Sequence, residues 1–273
     1  MVKLDRLGWA DGIAFRSYGL RVGVRVTDRR AMKRVTELLP PGWKPASSPI
    51  VDYLYSLVVG DAAPESKTQR FNLVYFDAGR LARSKDLELM LKAFESHLHI
   101  TVADNARRRV FVHAGVVGWK KSAILIPGLS FSGKTTLVSR LVKAGATYYS
   151  DEYAVLDECG LVHPFPRPLA VREVGGSETQ RVQVETIGGR AGSGPLPVRL
   201  VVSTSYREGA KWRPRQLTAG RGVLELLANT VSARSQTNLA LATLPKAIRD
   251  ARILKGVRGE ADEIVDSILE KVA

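Results

Sequence analysis

At 273 residues, with 45% hydrophobic and 25% charged residues, the chain has enough apolar content for one large or two ordinary domains with ample core. Its longest apolar runs, such as AILI at 123–126, fall far short of the roughly 20 residues a membrane span needs. A single cysteine, Cys159, excludes an intramolecular disulfide and argues against a cysteine zinc site.

The formal net charge of +14 is the unusual bulk property. An excess of Lys and Arg suits the steering of acidic partners. The basic residues are scattered, with no long tract and no nucleic-acid-binding motif, which argues against a nucleic-acid partner. The opening MVKLDRLGWADG carries acids and no apolar centre, so it does not read as a signal peptide, and the expected location is the cytoplasm.

In chain order, AFRSYGLRVGVRV (14–26) alternates around Gly19 and predicts a hairpin. RAMKRVTELL (30–39) has helical spacing and stops at Pro40-Pro41-Gly42. IVDYLYSLVV (50–59) and FNLVYFD (71–77) read as strands across the polar segment 60–69, and LELMLKAFESHLHITVA (87–103) as an amphipathic helix. The polar ADNARRR then marks a boundary. Residues 1–106 are expected to form a small N-terminal α/β region, a candidate for substrate recognition, and 107–273 a second domain.

That second domain reads strand (110–117), strand (122–128), loop, helix (135–145, with Gly145 as C-cap), strand (TYYS, 147–150) and strand (YAVLD, 153–157). Strand, loop, helix and strand in succession predict a mostly parallel sheet with flanking helices, TYYS lying beside the strand that feeds the loop. Residues 173–197 are Gly-rich and polar and are expected to be a mobile loop. VRLVVSTSY (198–206) reads as a strand, and helices are expected at 219–229, 236–249 and 259–272.

The loop itself, GLSFSGKTT (128–136), fits G-x-x-x-x-G-K-[ST], the phosphate-binding loop. Gly128 and Gly133 permit backbone conformations that turn successive N–H groups toward phosphate oxygens. The helix that follows offers its N-terminal dipole to the anion. Lys134 can reach β- and γ-phosphates, the Thr135 hydroxyl can ligate Mg²⁺, and Ser130, Ser132 and Thr136 line the same loop. No nucleophile-activating base accompanies Ser130 or Ser132, so they read as phosphate contacts.

Downstream residues narrow the class. No Asn is followed by Lys, so the guanine-reading N-K-x-D motif is missing and a GTPase is disfavoured. YAVLDE (153–158) ends in acids like the second motif of motor ATPases, but only residues 135–156 separate Lys134 from Asp157. Asp157 reads better as the end of a strand at a polar turn. Asp151 and Glu152, after TYYS, are the sharper acids: at the C-terminal edge of a parallel sheet a carboxylate can hold Mg²⁺ or take a proton from a hydroxyl. His163, His97 and His99 have no metal-ligand context and read as structural.

The stretch HAGVVGWKKSAILIPGLSFSGKTTLVSRLVKAGATYYSDEYAVLD (113–157) resembles the core of the HPr kinase/phosphorylase family and its HPr-kinase-related members. The resemblance places His113 at the family's active-site His, Lys134 and Thr135 at its loop Lys and Ser/Thr, and Asp151 at the acid that serves as catalytic base. RPLAVRE (167–173) resembles a later segment that brings an arginine, here Arg172, near the transferred phosphoryl group. Ala114 stands where the family has Gly, Glu152 where it has a second Asp, and the Gly-rich signature of the reverse, phosphorylase, reaction has no copy.

The expectation is therefore an α/β, HPr-kinase-type P-loop kinase with ATP and Mg²⁺ as cofactors. Asp151, His113, Lys134 and Arg172 would be catalytic, Gly128, Ser130, Ser132, Gly133, Lys134, Thr135 and Thr136 nucleotide-binding, and Thr135, Asp151 and Glu152 on the metal side. The acceptor would be a hydroxyl, with a serine of a peptide or protein as the leading candidate, since related kinases lie in peptide-tailoring pathways. The alternatives are a small-metabolite kinase and a nucleotide-dependent switch or ATPase without a phosphorylated partner. A homo-oligomer is compatible with all three.

Overall fold

The computed structural model describes residues 2–60, 70–129, 132–172 and 179–272, with backbone alone at 2, 3, 171, 172 and 179. It is a mixed α/β structure that divides into two compact units, Met1–Arg107 and Arg108–Ala273.

In the first unit the elements run α1 (Val2–Asp5), β1 (Asp11–Ser17), β2 (Leu20–Val26), α2 (Arg30–Glu37), β3 (Lys44–Pro45), β4 (Tyr53–Val58), β5 (Asn72–Phe76), β6 (Gly79–Ser84) and α3 (Leu87–Asn105). They build a six-stranded sheet in the order β3-β1-β2-β4-β5-β6, antiparallel except between β2 and β4. The β1–β2 hairpin turns on Tyr18 and Gly19, both at positive φ (48° and 86°), the combination that a two-residue turn between twisted strands favours. The Asp86 carboxylate caps α3 by accepting from the Glu88 and Leu89 amides. Met90, Phe94, Leu98 and Val102 recur every four residues along α3 and pack with Phe15, Val22, Val24, Tyr55 and Leu57. Strand β6 escapes sequence reading because GRLARS carries no apolar alternation and buries no residue fully.

The second unit contains β7 (Arg109–Trp119), β8 (Ser122–Pro127), α4 (Lys134–Lys143), β9 (Thr147–Ser150), β10 (Tyr153–Asp157), β11 (Val162–His163), β12 (Leu169–Arg172) and β13 (Thr179–Val182). There follow a 3₁₀ turn (Val184–Ile187), β14 (Val198–Tyr206), β15 (Arg215–Gln216), α5 (Ala219–Leu227), α6 (Thr237–Ala247), β16 (Arg252–Arg258), a second 3₁₀ turn (Asp262–Ile264) and α7 (Val265–Leu269). The main sheet has the order β11-β10-β7-β8-β14-β16-β15, with β9 also on β7, while β12 and β13 pair by themselves.

The expectation of a mostly parallel sheet is corrected here. Within this main sheet, among the described residues, only β8–β14 and β14–β16 are parallel strand pairs, and the other strand pairings are antiparallel. The cause is the tight β7–β8 hairpin, which places β7 against β8 and takes the edge that TYYS was expected to occupy. TYYS (β9) instead pairs with β7, and β10 continues along the same strand. Because β8, β9 and β10 all run antiparallel to β7, they share one direction, and α4 makes the crossover between β8 and β9.

The sheet is buried on both faces. Ile124 and Ile126 face Val117, Leu137, Val138, Leu141 and Ile268 on the side of α4 and α7. Ala123 and Leu125 face Val112, Val116, Leu226, Leu244 and Ile248 on the side of α5 and α6. Such two-sided burial explains why SAILIP reads as a continuous apolar run. The mobile loop expected at 173–197 is also corrected for its described part. Residues 179–197 hold β13, the 3₁₀ turn and backbone bonds from Tyr148 and Gly192 amides to the Arg190 and Tyr148 carbonyls. The helix expected at 259–272 is reduced to a 3₁₀ turn and α7, and β16 lies in RILKGVR, which had no assignment.

Candidate active site

Residues 128–136 leave the C-terminal end of β8 and enter α4, the strand–loop–helix setting that a phosphate-binding loop needs. Gly133 is the N-cap of α4 at φ +80°, a left-handed conformation suited to glycine. The main chain of His113 fixes where the loop begins: its carbonyl accepts the Gly128 amide at 3.2 Å, and its amide donates to the Asn229 carbonyl at 2.7 Å.

Asp151 comes to the loop through a break in the sheet. Strand β7 pairs with β9 along Val116–Gly118 and with β10 along Arg109–His113, so the chain is interrupted at Asp151-Glu152, opposite Ala114. Pro127, the last residue before the loop, pairs with the same Ala114. Loop and acid therefore flank β7 at one level. The acid follows the C-terminal end of TYYS, as expected from the sequence, and the chain then continues into β10 along the same neighbour, so Asp151 lies in a gap between two strands.

The side chains meet accordingly. The Thr135 hydroxyl donates to Asp151 Oδ2 at 3.0 Å, and the Ala170 amide approaches the same oxygen at 3.4 Å. The Tyr148 hydroxyl lies 2.9 Å from Asp151 Oδ1 and 2.8 Å from the Arg167 carbonyl, sharing its one proton between them. Burial, with the Asp151 charge beside it, keeps the Tyr148 phenol protonated. Asp151 is itself buried.

Lys134 is buried too, its Nζ donating to the Gly128 and Leu129 carbonyls at 2.7 and 2.6 Å. Burial lowers its pKa to about 8, against the favourable charge of Asp151. His113 is pushed down to about 4, chiefly by burial and then by the Lys134 ammonium, with a hydrogen bond to the Gly128 backbone acting the other way. At neutral pH its ring is uncharged in the free protein, so the charge-offsetting role expected for it becomes that of a neutral hydrogen-bonding group.

Glu152 does not join the Thr135–Asp151 pair: its carboxylate forms an ion pair with Arg167. Thr136 is exposed at the start of α4. Arg172 ends β12, and its side chain, like Ser130, lies outside the described residues. Asp157 closes the turn after β10, accepting from the Cys159 and Leu161 amides and the His163 ring. His97 is hydrogen-bonded to the Tyr55 hydroxyl, and His99 Nε2 to the Leu38 carbonyl.

The chain matches no family model and no curated protein sequence. The chemistry of the site is therefore read from its own residues. Mg²⁺ is usually held by one or two carboxylates, waters and phosphate oxygens rather than by an all-protein cage. Thr135 Oγ1 and Asp151 Oδ2, 3.0 Å apart beside a loop that fits the phosphate-binding sequence pattern, are compatible with it. Among the described residues no cluster of three or more His, Cys, Asp or Glu side chains gathers elsewhere as a metal site. A cavity of about 360 Å³ lined by Trp119, Lys120, Lys121, Tyr149 and Arg190 lies at the β7–β8 turn, the end of β8 remote from the loop, and takes no part in this chemistry.

Three neighbours carry no sequence signal of their own. Tyr148 lies within an ordinary strand pattern, and Arg258 is one arginine among many. Arg167 stands between Pro166 and Pro168, a rigid setting that marks a fixed position without naming its partner.

Proposed function

We propose that the chain is a Mg²⁺-ATP-dependent kinase of the HPr-kinase-like class that transfers the γ-phosphoryl group to a hydroxyl, with a serine of a peptide or protein as acceptor. The single observation that carries this reading is the Thr135–Asp151 hydrogen bond, which joins a metal-binding hydroxyl of a phosphate loop to a buried carboxylate.

In this reading loop amides and Lys134 hold the triphosphate. Thr135 Oγ1 and Asp151 Oδ2 would hold Mg²⁺, whose charge would draw electron density from the phosphate oxygens. A carboxylate offers about four acceptor positions, two on each oxygen. Thr135 and the more distant Ala170 amide lie on the Oδ2 side, where Mg²⁺ would sit, and Tyr148 takes one position on Oδ1, which leaves the other for the acceptor hydroxyl. The hydroxyl oxygen bonds to the γ-phosphorus while the bond to the bridging oxygen breaks. The hydroxyl proton passes to Asp151, and ADP departs with the electron pair. Tyr148 and the Ala170 amide fix the carboxylate, and neutral His113 lines the loop's entry. The transition state is loose, so positioning and electrostatics supply most of the acceleration. The net charge of +14 favours an acceptor with acidic residues around its hydroxyl.

The test is mass spectrometry of serine-containing peptides, proteins and small hydroxyl metabolites after incubation with Mg²⁺-ATP. A phosphate gain on a peptide or protein serine supports the reading. Phosphate on a metabolite alone moves the acceptor class, and ATP hydrolysis with no phosphorylated product replaces the kinase with a switch or ATPase.

A further inference from the structure

Arg258, the last residue of β16, is 2% exposed, and no acid forms an ion pair with it among the described residues. Strands β8, β14 and β16 run parallel, so the end of β16 arrives at the edge from which the phosphate loop leaves β8. There Arg258 Nη2 donates to the Gly133 carbonyl at 3.0 Å, and Nη1 to the Gly259 carbonyl at 2.9 Å. A Cβ built on Gly133 would collide with Nη2, so the guanidinium lies directly against the residue that precedes Lys134.

Two buried polar atoms at this point have no hydrogen-bond partner among the described residues: Arg258 Nε and the Ser132 hydroxyl oxygen. The Tyr206 ring lies 5.5 Å from the guanidinium carbon and offers it a partial counter-charge. Glu260 is near enough to favour the arginine's charge, but its carboxylate accepts from the Tyr206 hydroxyl at 2.8 Å. A purely structural arginine gains little here. The Gly133 carbonyl already accepts the Leu137 amide at 3.1 Å, so it does not need the guanidinium. A buried cation without an anion is costly, and an apolar side chain in its place is often neutral or stabilising.

We infer that Arg258 is a second cation of the phosphate site, its charge offset when the polyphosphate of a bound nucleotide enters the loop. The inference rests on the phosphate-loop reading of the proposed function and adds to it a residue 124 positions beyond Lys134 in sequence. Lys134 then supplies a point charge beside the Gly128 and Leu129 carbonyls, and Arg258 a planar fork against Gly133, two different cations for the phosphate oxygens.

Calorimetric titration with Mg²⁺-ATP and, separately, with inorganic tripolyphosphate tests this on the wild type, Arg258→Met and Arg258→Lys, each with a melting curve of the free protein. Expected are at least tenfold weaker binding of both probes by Arg258→Met, a melting temperature no lower than that of the wild type, and intermediate binding by Arg258→Lys. Unchanged affinity in Arg258→Met overturns the inference while leaving the kinase reading intact. So does a lowered melting temperature with wild-type affinity, the signature of a structural arginine. If Arg258→Met fails to fold, Arg258→Lys decides by the same comparison, and unchanged affinity there overturns the inference. A wild type that binds neither probe overturns the phosphate-loop reading itself.

Discussion

Asp151 sits between two hydroxyls with different jobs. Thr135 links its Oδ2 to the phosphate loop, while Tyr148 ties its Oδ1 to the Arg167 main chain. Removing the second tie loosens the carboxylate without touching the loop. Tyr148→Phe should cost about 1 kcal/mol of transition-state stabilisation, a several-fold fall in kcat, with ATP affinity unchanged. Steady-state kinetics beside calorimetry would check the split. His113 gives a pH signature. Its folded pKa of about 4 lies below the model-peptide value of 6.5. Between those values the unfolded chain takes up a proton that the folded protein refuses, so stability falls as pH drops from about 6.5 toward 4. Melting temperatures across that range should decline, and His113→Gln should flatten the decline. The residues of one contiguous motif were legible in the sequence, since spacing alone assembles a phosphate loop. Tyr148, Arg167 and Arg258 were not: Tyr148 and Arg258 reach the site through pairings between strands that no local pattern encodes, and Arg167 through the connection between β11 and β12.

At the scale of elements, the position of α4 depends on how closely it lies on β7. A Cβ on Gly115 would stand 2.5 Å from Val138 Cγ2 and 3.9 Å from Lys134 Cβ, so the strand and the first turns of the helix touch through a glycine. Gly115→Val should therefore push α4 away. Overpacking of this kind costs roughly 1–3 kcal/mol, and here it should appear both as a lower melting temperature and as weaker ATP binding, because Lys134 and Thr135 ride on the displaced helix. Most elements were readable from periodicity: the β1–β2 hairpin, the long α3 and the strand–loop–helix of β8 and α4. The partners of those strands were not. SAILIP is apolar in either a parallel or an antiparallel sheet, and only the hairpin turn at Lys120-Lys121 decides that β7 is its neighbour. RILKGVR, with three basic residues in seven, hides a strand whose neighbours β14 and β15 supply what its own sequence does not.

For the whole molecule, the charge of +14 is the property most exposed to experiment. If it draws in an acidic acceptor, the KM for that acceptor should rise severalfold between about 0.05 and 0.5 M salt, as surface charges become screened over a few Å. The kcat should move much less, since the buried Asp151, Lys134 and Tyr148 feel bulk salt weakly. Among the described residues no helix is long and apolar enough to cross a membrane. In the proposed kinase the buried Asp151 takes the acceptor's proton, while loop amides, Lys134 and Thr135 carry most of the nucleotide's binding. Asp151→Asn keeps the side chain's shape and one acceptor oxygen, exchanges the other oxygen for an NH₂ donor, and removes the base. Expected is a loss of at least a hundredfold in transfer from labelled ATP to the acceptor, general-base contributions being of that order, with ATP binding within a few-fold of wild type. Normal transfer by Asp151→Asn would contradict that role for Asp151.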